Sequence, residues 1–246
     1  MSNEKRSLDD EFADNSFRDY QYNFDSSVRE LLMERWEPYF SEGGLSLEMG
    51  SFDGTMTELL RRYFNRLQVV EGSEKLASVV REKFDGSVPV HLSWFERFEP
   101  VERFDHVFLV HGLEHVEDPV GVLSRASTWL NENGKLFVAV PNANALSRQI
   151  AVQMGIVDSL QAVTEGEREQ GHLRTYNLDT LCRDIHSAGL KIIDRGGVVL
   201  KALSNWQFDA AVREEIVSSS YLKACDEIAK IWPEFSASVY AVVSLK

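Results

Sequence analysis

From residue 45 onward the chain alternates short, unbroken apolar runs with stretches whose apolar residues recur at helical spacing, and few folds accept that rhythm. Residues 45–49, 67–70, 88–92, 104–110 and 135–140 read as strands, the last entered through an Asn131–Gly134 turn. Between the first two, Met56, Leu59, Leu60, Tyr63 and Phe64 fall at i, i+3, i+4, i+7 and i+8, one face of a helix. Further helices are expected near Leu76, Val79 and Val80, over about 120–130 and over 178–188, with later strands at 190–194 and 239–245. Continuous apolar strands joined by helices are the mark of a sheet covered on both faces. With right-handed crossovers, this predicts an α/β, Rossmann-like, doubly wound and mostly parallel sheet whose ligand crevice opens at the strand C-termini. Residues 1–40, acidic and aromatic with a helix over about 26–39, read as an N-terminal lid before a domain spanning 41–246. Segments near 143–177 and 196–232 interrupt the rhythm and read as cap insertions.

The charge balance narrows the partners. Twenty-six Lys and Arg against 39 Asp and Glu give a formal charge of −13, which repels phosphate backbones and anionic membranes. No apolar run approaches the ~18 residues of a membrane span. The charged residues 1–10 lack the apolar core of a signal peptide. Cys182 and Cys225 are too few and too far apart for a disulfide framework or a metal clip. The expectation is a reduced, cytoplasmic protein that acts on a small molecule, with no nucleic-acid or membrane partner. Composition leaves the oligomeric state open.

The most informative stretch runs from Leu45 to Thr55: a strand ends on Glu48, passes Gly50 and Gly54, and enters an amphipathic helix. Glycine permits positive φ and close approach of a ligand to the backbone. The helix start offers free N–H groups to an anion. Seventeen positions past Gly54, Glu71 closes the second strand, where an acid can accept hydrogen bonds from ribose hydroxyls. These features point to an adenosine-type cofactor, and the spacing Gly50-x-x-x-Gly54 is not the G-x-G-x-x-G of a dinucleotide site.

Here the chain resembles the class I S-adenosylmethionine (SAM)-dependent methyltransferases, whose first motif is acid-x-Gly-x-Gly-x-Gly; Phe52 stands at the middle glycine. The stretch from Phe104 through Leu113-Glu114-His115-Val116 to Asp118-Pro119 is similar to that family's fourth-strand motif, and Asn133 to Asn142 to its fifth. The resemblance covers roughly residues 45–140 and implies an antiparallel closing strand. It also implies SAM as cofactor, with Glu48, Gly50 and Gly54 around the methionine end and Glu71 on the ribose. Trp94 and Phe95 would pack on adenine, or Trp94 belongs to the core; Val110 and His111 would pass near the sulfonium.

Methyl transfer to a high-pKa oxygen needs a base, whereas a neutral nitrogen may need none. His111 and His115, just past the fourth strand, are the candidate bases; alternatively, Glu114 and His115 cap the next helix. His111-Gly112-Leu113-Glu114-His115 also reads H-x-x-E-H, a zinc-peptidase pattern that requires a helix. A strand running into His111, followed by glycine, suits a strand-end loop instead. Some ubiquinone-pathway O-methyltransferases use metal-binding acids and a histidine in a similar segment, but His111 stands where an acid is expected, and no metal is assigned. Asn142, His172, Arg174 and Tyr176 are candidate acceptor contacts, with Arg148 and Asn144 nearby, or they serve as helix-entry packing. Tyr20 and Tyr22 would close over the acceptor or staple the first helix, and residues 206–208 pose the same choice. The resulting expectation is methylation of O or N on a small polar metabolite of natural-product or sugar type. The alternatives are a zinc peptidase and a non-catalytic nucleotide-binding protein.

Overall fold

The computed structural model describes residues 8, 9 and 23–246. One seven-stranded sheet carries the order β3-β2-β1-β4-β5-β7-β6. Its strands are β1 (Ser46–Met49), β2 (Leu67–Glu71), β3 (Val90–Leu92), β4 (Phe104–Val110), β5 (Leu130–Pro141), β6 (Lys191–Val198) and β7 (Ser238–Ser244). The pairs among β1 to β5 are parallel, and β7 runs antiparallel between β5 and β6. This is the doubly wound sheet with an antiparallel closing strand that the sequence predicts.

Residues alternate across the sheet, as the two-residue period of a strand requires. Phe108, Phe137 and Tyr240 enter one core, while Val107, Leu109, Leu136, Val138 and Ala241 enter the other. Helix α1 (Asn23–Trp36) builds the first core: Trp36 is fully buried with its ring 5.4 Å from Phe137 and 6.0 Å from Phe108. The stretch expected to act as a lid therefore contributes a structural helix, whose other side faces the crevice. Phe12, Phe17, Tyr20 and Tyr22 lie outside the described residues.

Local signals explain most helix boundaries. Helix α2 (Thr55–Leu60) starts at Gly54, whose φ of 78° is left-handed. It ends sooner than the spacing predicts, so Tyr63 is exposed while Phe64 stays buried. Ser73 caps α3 (Glu74–Lys83) by accepting the Leu76 N–H; Asp118, followed by Pro119, caps α4 (Pro119–Thr128). Between β5 and α7 (Leu178–Ser187) lie two short helices, α5 (Leu146–Gln153) and α6 (Glu165–Glu169). Between β6 and β7 lie α8 (Asn205–Arg213) and α9 (Ser219–Ile231). β6 runs four residues beyond the expected end at 194 because β7 pairs with it to Val198. The Asn131–Gly134 turn is a bulge within β5: Leu130 opposes Phe104 and Lys135 opposes His106, so four residues loop out. Among the described residues, no helix is long and apolar enough to cross a membrane.

Candidate functional site

A cavity of about 1190 Å³ opens where β1, β2, β4 and β5 end. Its floor includes Gly50, Glu71, Val110, His111 and Asn142. That position is the crevice at the topological switch of an open α/β sheet. Its volume exceeds the upper end, about 1,000 Å³, of common small-molecule sites, leaving room for two ligands.

The first loop is tied down by one carboxylate. Glu71 Oε2 accepts the Ser51 N–H at 2.9 Å and Oε1 accepts the Ser73 N–H at 3.0 Å, so the ends of β1 and β2 are held together from below. A carboxylate oxygen accepts more than one hydrogen bond, so Glu71 keeps capacity for a ligand hydroxyl at the cavity floor. Gly50 takes φ 79°, and a Cβ there would touch the Phe95 ring at 3.4 Å, in space a ligand needs. Trp94 and Phe95 form the adjoining wall. These features fit the nucleoside and methionine ends of SAM.

Two expected cofactor contacts sit behind the loop rather than on the cavity wall. Glu48 is 2% exposed and accepts the Thr57 hydroxyl at 2.6 Å, while its Oε1 has no hydrogen-bond partner among the described residues. Burial pushes its pKa up to about 8, so at neutral pH it is largely a neutral acid pinning α2 to β1. Gly54 starts α2, where a Cβ would meet Phe84 at 3.0 Å. Both hold the loop's shape.

Arg29, which the sequence reading missed, faces the cavity from α1. Its guanidinium has no hydrogen-bond or ion-pair partner among the described residues. A guanidinium beside the loop is suited to a carboxylate. Only its position one residue from buried Val28 and one turn after Asp25 hinted at this. Asp25 and Lys201 join the same wall, and burial brings Asp25 up to about 6 and Lys201 down to about 8.

His111 follows β4 with φ 50°, a strained conformation for a non-glycine residue that turns the chain at the cavity. Its Nε2 lies 3.1 Å from Ser238 Oγ. Burial, then the nearby Arg29 charge and the two histidines His172 and His115, lower its pKa to about 3, which keeps the ring neutral and weakly basic. Beyond it, Leu113–His115 is a single 3-10 turn, not the helix that an H-x-x-E-H zinc site requires.

The acceptor candidates divide. His172 reaches the cavity, its ring edge-on to His115 with centroids 4.7 Å apart. Glu114 is buried beside them, and among the described residues its two carboxyl oxygens have no hydrogen-bond partner. Arg148 is on the wall but bound to Glu167 at 2.7 Å and to the Leu160 carbonyl at 2.9 Å. Arg174 donates to the Val116 and Glu117 carbonyls, and Tyr176 donates its hydroxyl to Asp184. Both line only a separate cavity of about 30 Å³ behind Glu114, large enough for one water. They build the site rather than touch the main cavity. Asn142 lines the main cavity, yet its amide donates to the Glu234 and Ser236 carbonyls and its Oδ1 accepts the Asn144 N–H, stitching β5 to the approach to β7.

Comparison with known proteins agrees with this layout. The family model described as a methyltransferase domain matches residues 17–195. The ubiquinone biosynthesis O-methyltransferase of Aeromonas salmonicida is 30% identical over 104 residues, 42% of this chain and 42% of that protein. The C-methyltransferase NovU of Streptomyces niveus is 26% identical over 157 residues, 63% of this chain and 34% of its own length. The chain thus spans less than two thirds of the length of these curated relatives. A solved SAM-dependent methyltransferase from Thermotoga maritima, described as a possible histamine N-methyltransferase, shares the fold. It matches with a TM-score of 0.64 at 16% identity, over 92% of this chain and 91% of that one.

Proposed function

This chain belongs to the methyltransferase domain family, and from that premise we propose that it transfers a methyl group from SAM to an O or N atom of a small polar metabolite. The observation that carries the reading is the β1–β2 floor: Gly50 opens the space and Glu71, anchored by Ser51 and Ser73, faces it. In this reading Glu71 holds the ribose, Trp94 and Phe95 flank the adenine, and Arg29 takes the carboxylate. When bound, SAM supplies an electrophilic methyl carbon, whose bond to sulfur breaks with both electrons going to sulfur.

The chain's own contribution is positioning and exclusion of water. A displacement of this kind depends on holding the acceptor in line with the methyl group, and fixed geometry can supply much of the acceleration. The neutral, half-buried His111 shapes the passage between the floor and the Glu114–His172 side, and its low basicity makes His172 the better proton acceptor. Zinc-peptidase chemistry lacks its helix here. The relatives named above carry methyl groups to different elements by their names, so the acceptor atom rests on this chain's own wall.

Calorimetry with S-adenosylhomocysteine (SAH) tests donor binding, and isotopically labelled SAM incubated with a metabolite extract tests transfer. Uptake of SAH and a labelled small-molecule product are expected. Failure of folded protein to bind either SAM or SAH removes the reading. Binding without any labelled product leaves only a nucleotide-binding protein.

A further inference from the structure

On the acceptor side of the cavity stands a buried carboxyl group. Glu114 is 2% exposed, and among the described residues neither of its oxygens has a hydrogen-bond partner. Leaving a buried polar group unpaired costs roughly 1–3 kcal/mol, and more when it is charged. One water in the small rear cavity would serve a single lone pair and leave the rest of the group facing the main space. Beside it are two imidazoles: His115 Nε2 lies 3.9 Å from Glu114 Oε1, and His172 is packed edge-on to His115. One donor atom from each of the three lies within 4.8 Å of the others.

We infer that, within the methyl-transfer reading above, this wall selects an acceptor bearing a protonatable aliphatic amine, held by the Glu114 carboxyl group and the His172 imidazole.

Two features favour an amine over a hydroxyl, and a third admits it. An alkylammonium presents up to three N–H donors, where an alcohol presents one. Its charge also offsets a carboxylate that burial otherwise holds in the neutral form, near pKa 8. The third feature is size. Around a tetrahedral ammonium with hydrogen bonds of about 2.8 Å, acceptors sit about 4.6 Å apart. Ligands on zinc at about 2.0–2.1 Å sit only about 3.4 Å apart. The Glu114–His115 pair at 3.9 Å lies between these two spacings, and the 4.8 Å bound on all three groups admits the wider one.

Burial lowers the basicity of His172, so it is neutral near pH 7 and able to accept a proton. The bound ammonium gives one proton to His172, which frees the nitrogen lone pair. That pair forms the N–CH3 bond as the C–S bond breaks toward sulfur. The product nitrogen carries the positive charge, and the spent donor leaves as a neutral thioether.

The test runs labelled SAM with a metabolite extract, untreated or acetylated beforehand to block its amines. Label on nitrogen, lost after acetylation, is expected. Glu114→Gln should raise KM for that product's precursor about 100-fold while SAH affinity stays within about twofold of wild type. Glu114→Asp should recover part of the loss. Saturation-transfer NMR on the SAH-loaded protein, with butylammonium and butanol as probes, should detect the first only, and not in Glu114→Gln. Four results overturn the inference: label on oxygen or carbon, label surviving acetylation, unchanged KM in Glu114→Gln, or activity lost to a chelator and restored by a divalent metal. Each leaves SAM-dependent methyl transfer standing, label on carbon changing only the acceptor atom of that reading, whereas absent SAH binding removes the reading itself.

Discussion

Replacing Glu71 with alanine separates a ligand contact from a structural brace. The carboxylate accepts the Ser51 and Ser73 N–H groups and, at 3.3 Å, the Ser51 hydroxyl. Ser51 is 3% exposed and Ser73 is 1% exposed, so bulk water cannot readily replace the lost acceptor. Two orphaned backbone donors at about 1–3 kcal/mol each give a loss of about 3 kcal/mol. For a domain of this size, 1 kcal/mol moves Tm by about 2–4 °C, so Glu71→Ala should melt about 6–12 °C below wild type with no ligand present. Urea unfolding should show a lower midpoint at unchanged slope, since the surface exposed on unfolding stays the same. SAH affinity should fall at least tenfold in calorimetry, because the loop loses its anchor and the ribose its acceptor. Glu71→Gln keeps one acceptor and should lie between the two. A ligand-free Tm within about 1 °C of wild type, alongside weakened SAH binding, would falsify the brace and reduce Glu71 to a ligand contact.

Stability should depend on pH with two opposing signs. His106 and His111 are held near 4 and 3 by burial, so the unfolded chain binds more protons below about 6.5 and stability rises with pH through that window. Glu48 and Glu114, lifted to about 8, bind protons more tightly when folded, and stability falls as pH climbs from about 4.5 to 8. The two trends cancel between about 4.5 and 6.5, which leaves a net decline from 6.5 to 8; Glu48→Gln combined with Glu114→Gln should flatten that decline in urea midpoints, and an unchanged slope would refute the assignment. Gly54→Ala forces φ 78° on a residue with a Cβ and presses it to 3.0 Å from Phe84, for a loss of about 1–2 kcal/mol read from the same melts. Asn142→Ala removes two hydrogen bonds from the end of β5 to the approach to β7 and a local one from the Asn144 N–H, and should cost about 2–4 kcal/mol. A variant that melts like wild type but shows a raised acceptor KM would instead make Asn142 a substrate contact.

Much of the fold was legible in linear patterns. The runs at 45–49, 67–70 and 104–110 match β1, β2 and β4 closely, because strands buried on both faces must be apolar at consecutive positions. Edges were less legible. β6 reaches Val198 through pairing with β7, a partner about 45 residues away that no local window contains. Tyr63 kept its helical spacing but lies past the end of α2.

The site divided along the same line. Strand-end residues such as Gly50, Glu71, Val110 and His111 reach the cavity because a strand's C-terminus in a doubly wound sheet opens on the crevice whatever the loops do. Side chains from loops and helices could not be placed that way. Arg174 and Tyr176 have the chemistry of ligand contacts, yet nearby carbonyls and Asp184 occupy them. Arg29 reads as an ordinary helix-surface cation until α1 is laid against the sheet. The residue order alone therefore determined the sheet and the floor of its crevice, since periodicity and strand polarity are local properties. Which cations and acids face the cavity and which are tied up by neighbours depends on groups brought together from distant parts of the chain, and only the packed structure decides that.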